Sequence, residues 1–214
     1  MNRQICVIGA GQWGLNHVRT LNDLGCLGGI VDSDKKLLIK LSNDYPNAMT
    51  YPDIDEAIQN QNFSAFIVAT PAHTHFSIAK KIISSKNHIL IEKPMALTIK
   101  DAEEIVYLAK KHSVNLMVGH LMLFHPAIVK IKNMILNREI GDLQYIYSNR
   151  LNLGQIRSKE NVFWSFAPHD ISIFQFLTNS FPSAITASAS SFLQEGIFDS
   201  TITHLKYPNN IMGH

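Results

Sequence analysis

The sequence predicts an α/β protein in which a doubly wound parallel sheet precedes a smaller α+β domain with a mostly antiparallel, open sheet. Two observations predict the parallel sheet of the first part. Short apolar runs alternate with helix-period segments, and a glycine motif directly follows the first run. The third observation is that strand-like runs succeed one another with few helices after about Gly119. We therefore divide the chain into residues 1–120 and 121–214.

Five apolar runs of strand length supply the predicted parallel sheet. Each run is short and continuous, as expected of strands that are buried on both faces. The runs are residues 4–8, 29–31, 65–69, 89–91 and 116–118. A sequence of this kind, strand then helix then strand, predicts helices on both faces of the sheet.

Helix-period stripes of apolar residues lie between these runs. The two clearest stripes are Ile78, Ala79, Ile82 and Ile83, followed by Ala102, Ile105, Val106 and Ala109. Thr98 and Asp101 predict a capping box before the second stripe. Gly25 predicts the end of a helix, with this glycine in the left-handed conformation.

The second part begins with an apolar helix face over about residues 124–135. Strand candidates follow at residues 143–153, 184–193 and 197–207, and a helix is predicted over about residues 168–177. Successive strands with β-branched and aromatic content predict an antiparallel sheet.

Composition excludes several classes of protein. With 46% hydrophobic residues, 17% charged residues and a formal net charge of +2, the chain is typical of a globular protein without strong attraction to nucleic acid or membrane. Two cysteines and scattered histidines predict neither a disulfide framework nor a metal site. The first residues lead straight into a strand, and no apolar stretch approaches the roughly 20 residues that span a bilayer. We therefore expect a cytoplasmic protein without a signal peptide.

The glycine motif predicts a dinucleotide site of the Rossmann type. It reads Gly9-Ala10-Gly11-Gln12-Trp13-Gly14, and it links the first strand to a helical segment. Gly9 permits a tight turn, Gly11 admits a pyrophosphate, and Gly14 allows close packing of helix and strand. Asp32 closes the next strand, where its carboxylate accepts ribose hydroxyls and repels a 2′-phosphate, so NAD is favoured over NADP. The alternative is three turn glycines and a surface aspartate.

Three further motifs carry a resemblance to a known family. They are Ala69-Thr70-Pro71, Glu92-Lys93-Pro94, and Gly119-His120 with His125-Pro126. In this order the chain resembles the Gfo/Idh/MocA oxidoreductases, which oxidise or reduce a carbohydrate alcohol with NAD(P). The resemblance implies a Rossmann domain followed by an open-sheet domain. It also places further cofactor-binding residues at Thr70, Pro71, His75, Glu92, Lys93 and Pro94.

The resemblance implies that Lys93 is catalytic and also contacts the substrate. A lysine at the carboxyl end of a strand lies at the crevice where such sheets bind ligands. Its ammonium can stabilise a developing oxyanion. The alternative is a solvated lysine beside a turn proline.

His169 is the second catalytic and substrate-binding residue that the resemblance implies. Relatives have an Asp-x-x-x-His pattern at a helix start, but Ser165 replaces that aspartate here, and Asp170 is adjacent to His169. An imidazole titrates near working pH and suits proton abstraction from a hydroxyl. A histidine that caps the helix or lies in the core is the alternative.

A stretch of the second part is similar to the nucleotide-sugar branch of the family. Arg150 and Arg157 are expected to hold a diphosphate, while Asn152 and Asn161 read sugar hydroxyls or an acetamido group. Trp164 and Asp170 complete the predicted substrate site. Surface arginines near a strand end are the alternative.

These inferences predict an NAD-dependent enzyme that oxidises the 3-hydroxyl of a UDP-N-acetylhexosamine to a ketone. A dehydrogenase or reductase of a free sugar or inositol is one alternative, and a non-catalytic NAD-binding protein is another. Because relatives continue beyond residue 214, we expect the second domain to be incomplete. By analogy with the family, a homo-oligomer would form through its sheet.

Overall fold

Apolar runs in the first part of the chain form a parallel sheet. A computed structural model describes residues 4–59, 62–151, 156 and 161–214, and the chain divides into two units, Met1–Gly119 and His120–His214. The strands of the first unit are β1 (Gln4–Ile8), β2 (Leu27–Val31), β3 (Met49–Tyr51), β4 (Phe63–Val68), β5 (His88–Ile91) and β6 (Leu116–Val118).

The first sheet has the order β3-β2-β1-β4-β5-β6, and every neighbouring pair is parallel. All five predicted strands are present. β3 was not predicted, because only one of its three residues is buried and so no apolar run marks it. The chain order reverses between β1 and β4, which is where ligands bind in sheets of this type.

Helices cover both faces of this sheet, as the doubly wound prediction requires. They are α1 (Gly14–Asp23), α2 (Lys35–Asp44), α3 (Ile54–Gln59), α4 (His75–Ser84) and α5 (Ile99–Lys111). Val7 of β1 packs in a cluster with Val18 and Leu21 of α1. Its neighbour Cys6 packs on the opposite face in a cluster with α4 and α5. Alternate side chains of one strand thus serve two cores.

Two predicted helix ends of the first unit agree with the structure. The Thr98 side chain accepts a hydrogen bond from the Asp101 amide at the start of α5, and Gly25, at φ +68°, follows α1.

In its described part, the second unit combines two α-helices with a small mixed sheet. Its elements are α6 (Pro126–Leu136), β7 (Tyr145–Ile146), α7 (Val162–Thr178), β8 (Ala184–Ser190), β9 (Ser200–Lys206) and β10 (Met212–Gly213). The sheet order is β7-β10-β9-β8, in which only the β7–β10 pair is parallel. Phe174 and Leu177 of α7 form its core with Leu205, Tyr207 and Ile211.

Two predicted elements of this unit were wrong in extent. Within the described part of residues 143–153 the strand covers only Tyr145 and Ile146, which pair with Met212 and Gly213 of β10. The helix predicted from Pro168 begins at Val162 and carries Pro168 inside. Proline favours a helix start, but the Asn161 side chain caps this helix seven residues before Pro168, accepting from the Trp164 amide.

The strands β8 and β9 are shorter than predicted at the turn that joins them. There the Asp199 carboxylate accepts hydrogen bonds from the amides of Phe192 and Leu193. These amides are therefore held in a loop and do not extend the strand ladder. Among the described residues, no helix combines the length and apolar character that crossing a bilayer requires.

Candidate functional site

The glycine loop joins β1 to α1 at the carboxyl edge of the parallel sheet. Gly9 has φ +86°, and a Cβ there would lie 2.8 Å from Cγ2 of Thr70. A Cβ on Gly14 would lie 1.8 Å from the carbonyl oxygen of Gly9. Both positions therefore require glycine, one for its turn and one for the close approach of α1 to the loop.

Open space adjoins the loop at Gly11, where a Cβ would have no neighbour within 4 Å. Trp13 stands at the start of α1, which has no side-chain cap and no acidic residue in its first turn. An uncapped helix N-terminus of this kind attracts an anion through its amides and its dipole. The loop from Gly9 to Gly14, with Gln12 and Trp13, thus fits the pyrophosphate of a dinucleotide.

Asp32 is fixed against this loop. Its Oδ2 accepts a hydrogen bond from the Ala10 amide at 2.7 Å, and its Oδ1 accepts from the Asp34 amide at 2.9 Å. Each carboxylate oxygen can accept a further hydrogen bond. Asp32 therefore stands at the end of β2, oriented by the backbone and able to receive hydroxyl groups.

Thr70 and Pro71 follow β4 and border the glycine loop. The hydroxyl of Thr70 shares a hydrogen bond of 2.7 Å with the hydroxyl of Thr74, which in turn donates to the carbonyl of Pro71. Since β4 neighbours β1 in the sheet, this turn and the glycine loop form one continuous edge.

Glu92 follows β5 as a buried carboxylate, 6% exposed. Its Oε1 lies 2.7 Å from Nε2 of His17, its Oε2 accepts from the Lys93 amide at 3.3 Å, and the indole of Trp13 also donates to it. Burial raises the pKa of Glu92, but the hydrogen bonds from His17 and Trp13, the charge of His17 and the Lys93 amide outweigh that effect. Its pKa is therefore below the ordinary value.

His17 is a residue that sequence reasoning missed. It lies on α1 three residues after Gly14, so both occupy the same helix face. The available signal was that His17 is a polar residue on the face of α1 that meets the end of a strand.

His75 opens α4 and is 1% exposed. Its Nδ1 lies 2.8 Å from the carbonyl oxygen of Pro94, and its Nε2 lies 2.8 Å from the carbonyl oxygen of Thr70. The ring thus links the turn after β4 to the turn after β5. Lys93 is half-buried between Glu92 and Pro94, and the Lys93–Pro94 peptide bond is cis.

In the second unit, α7 carries three of the predicted substrate residues, Trp164, His169 and Asp170. His169 is half-buried in this helix, four residues after the buried Ser165, and its carbonyl accepts from the Ser172 hydroxyl. Asn161 caps the same helix, and Trp164 is partly exposed in its first turn. Asn152 and Arg157 lie outside the described residues.

Arg150 and Asp170 form a two-bond ion pair. The Nε of Arg150 donates to Oδ2 of Asp170 at 2.8 Å, and a terminal nitrogen donates to Oδ1 at 3.2 Å. The Ser148 hydroxyl donates to the same Oδ1 at 2.8 Å. The charge of Arg150 is therefore largely compensated by a carboxylate within its own unit.

A cavity of about 390 Å³ lies beside this pair. Phe163, Phe166 and Phe174 supply apolar walls, and Arg150, Asp170 and Thr203 supply polar groups. The Thr203 hydroxyl is buried without a hydrogen-bond partner among the described residues. Aromatic walls with a few polar groups are typical of small-molecule sites.

Comparison with known proteins supplies the context of both units. UDP-N-acetylglucosamine 3-dehydrogenase of Acidithiobacillus ferrooxidans is 26% identical over 182 residues, which cover 85% of this chain and 56% of that protein. Myo-inositol 2-dehydrogenase of Thermotoga maritima is 24% identical over 222 residues, which cover 98% of this chain and 66% of that protein. The chain thus spans between about half and two thirds of the length of these relatives.

The fold recurs in solved structures. GenD2 from gentamicin A biosynthesis, in complex with NAD, superposes with a TM-score of 0.88 at 22% identity, covering 100% of this chain and 65% of that one. A sequence model of the Gfo/Idh/MocA group, described as the oxidoreductase family with the NAD-binding Rossmann fold, matches residues 3–120. That stretch holds the glycine loop, Asp32 and Lys93, and the chain belongs to this family of oxidoreductases.

Proposed function

We propose that this chain acts as an NAD-dependent dehydrogenase of a carbohydrate alcohol. The observation that carries the proposal is the combination of an open glycine loop with an aspartate held against it by the Ala10 amide. This arrangement binds the pyrophosphate at the loop and the ribose at Asp32.

The choice of NAD over NADP rests on Asp32. Both of its oxygens are already oriented by backbone amides, so the carboxylate stays in place to accept the 2′- and 3′-hydroxyls of a ribose. A 2′-phosphate at the same position would bring two negative charges together.

The proposed chemistry uses Lys93 and His169. NAD⁺, held by the glycine loop and Asp32, would supply the acceptor for the hydride that leaves the alcohol carbon. The ammonium of Lys93 donates a hydrogen bond to the hydroxyl oxygen and stabilises the negative charge that develops there. The imidazole of His169 accepts the hydroxyl proton, so that the alcohol becomes a ketone and the proton remains on the protein.

For the substrate we propose a UDP-N-acetylhexosamine, oxidised at C3. The relative from Acidithiobacillus ferrooxidans supports this choice, as does the guanidinium of Arg150, which keeps one terminal nitrogen outside its two bonds to Asp170. In the proposed complex that nitrogen donates to a diphosphate oxygen.

A free polyol such as inositol is the second candidate, and one observation favours it. Because Asp170 compensates the charge of Arg150, the pair with Ser148 offers acceptors and donors suited to neutral hydroxyl groups. The relative from Thermotoga maritima is consistent with this candidate.

One experiment separates these functions. The protein is mixed with NAD and, separately, with UDP-N-acetylglucosamine, N-acetylglucosamine and myo-inositol, and NADH formation is followed by absorbance. Turnover confined to the UDP-sugar supports the first candidate, and turnover confined to the free polyol supports the second. NAD binding without any turnover would favour a non-catalytic protein.

A further inference from the structure

We propose that two histidines from different helices, the half-buried His17 and the buried His75, position Lys93 by fixing the backbone on either side of it. His17 of α1 acts through Glu92, and His75 of α4 acts through the carbonyl of Pro94. The proposal rests on the catalytic role of Lys93 under the proposed function.

The first contact precedes Lys93 in the chain. His17 and Trp13 both donate to the Glu92 carboxylate, and that carboxylate accepts the Lys93 amide. Both donors come from the glycine loop and the first turns of α1. One buried carboxylate thus bonds both to the segment that would receive the cofactor and to the backbone amide of Lys93.

Gly119 shows how closely this carboxylate is enclosed. A Cβ at Gly119 would lie 2.9 Å from Oε2 of Glu92 and 3.0 Å from its Cδ and Oε1. The end of β6 therefore leaves room for the carboxylate only because residue 119 has no side chain. Glu92 is hydrogen-bonded to α1 on one side, and the end of β6 encloses it on the other.

The second contact follows Lys93. The His75 ring lies 2.8 Å from the carbonyl oxygens of Pro94 and Thr70, and the side chain is buried. Because both neighbours are carbonyl acceptors, a neutral imidazole donates to one of them and only contacts the other. With either tautomer the buried ring lies between the two turns and fixes the distance between the Glu92-Lys93-Pro94 turn and the turn that borders the glycine loop.

These positions revise the roles inferred from sequence for two residues. Glu92 and His75 were expected to bind the cofactor directly, but 6% and 1% exposure leave them little surface to offer a ligand. Their hydrogen bonds end on backbone and side-chain groups of this chain. We therefore infer that they are positioning residues, and that Lys93 is the one of the three that reaches the reacting atoms.

The test compares His17→Gln and His75→Gln with His88→Gln. His88 stands at the opposite end of β5 and accepts from the Asn115 amide, so its replacement also removes one histidine hydrogen bond, but far along the strand from Lys93. We expect kcat to fall on the order of 10-fold or more in the first two variants, with the Kd of NAD within a few-fold of the original. The His88 variant keeps the original kcat.

A second readout does not require turnover. Hydrogen exchange at the amide of Lys93, which donates to Glu92, should become several-fold faster in His17→Gln and His75→Gln and remain unchanged in His88→Gln. Faster exchange with an unchanged kcat would overturn the positioning role. Unchanged exchange would show that the histidine contacts do not restrain this turn. If the original protein oxidises none of the sugars, the proposed function fails, and the exchange rates still decide whether the histidines fix this turn.

Discussion

Asp32 makes the sharpest prediction about the cofactor. Replacing it with alanine removes a charged acceptor for the ribose, and one such hydrogen bond contributes roughly 1.5–3 kcal/mol. The Kd of NAD measured by calorimetry should rise about 10- to 100-fold, while discrimination against NADP should largely disappear. Asp53→Ala is a matched control, because Asp53 likewise accepts a nearby amide but at the start of α3. Tighter binding of NADP than NAD by the unmodified protein would contradict the assignment.

Substitution of Lys93 and His169 tests their proposed catalytic roles. Lys93→Met and His169→Ala should each lower kcat on the order of 10²-fold or more, the scale of lost oxyanion or acid–base assistance. The affinity for NAD should stay within a few-fold, since neither side chain is assigned to the pyrophosphate or ribose. A variant with near-normal turnover would remove that residue from the mechanism.

Glu92 links stability to pH. Because its pKa is lowered in the folded protein, its contribution is fully present above its unfolded pKa of about 4.3 and is lost as pH falls through the lowered value. Urea unfolding between pH 7 and pH 3 should show a larger loss of stability for the original protein than for Glu92→Gln. Parallel losses in the two proteins would mean that the carboxylate is not stabilised in its charged form.

The residues of this site differ in how far sequence reasoning reaches them. Gly9, Gly11, Gly14 and Asp32 form a local pattern whose spacing follows from strand and helix geometry, so the sequence predicts them. The contact between His17 and Glu92 joins residues 75 apart. It depends on which strand lies beside α1, and no local pattern encodes that.

At the scale of elements, the start of α7 gives a prediction of its own. Asn161 was expected to read a sugar, and the structure shows its side chain capping the helix that carries His169. Asn161→Ala should reduce stability by about 0.5–2 kcal/mol, whereas Asn161→Ser should retain most of it because serine also caps. Chemical unfolding measures both. If the serine variant is stable yet has a much higher KM for the sugar, Asn161 also contacts substrate.

The elements of the two units were predictable to different degrees. Buried parallel strands require continuous apolar runs, so β1, β4 and β5 are evident from sequence alone. In the second sheet, β7 pairs with β10 over only two residues, although the predicted strand was longer. The alternation in its sequence does not reveal where pairing stops.

At the scale of the whole molecule, the two sheets differ in how they meet solvent. The first is covered by helices on both faces, whereas all seven residues of β8 are exposed, and Ile185 and Ile202 stand on the exposed part of that sheet. The expected homo-oligomer through the second sheet remains a prediction, which light scattering of the purified protein can test.

The two cysteines make the first unit suitable for site-selective labelling. Burial raises the pKa of the Cys6 thiol and encloses it completely, so it should not react with a maleimide in the folded state. Cys26 is half-buried immediately before β2, at the amino edge of the sheet, while the glycine loop and Asp32 stand at the carboxyl edge. A fluorophore should therefore attach at Cys26 alone and remain clear of the dinucleotide. It would give an optical reporter of folding without a single engineered substitution.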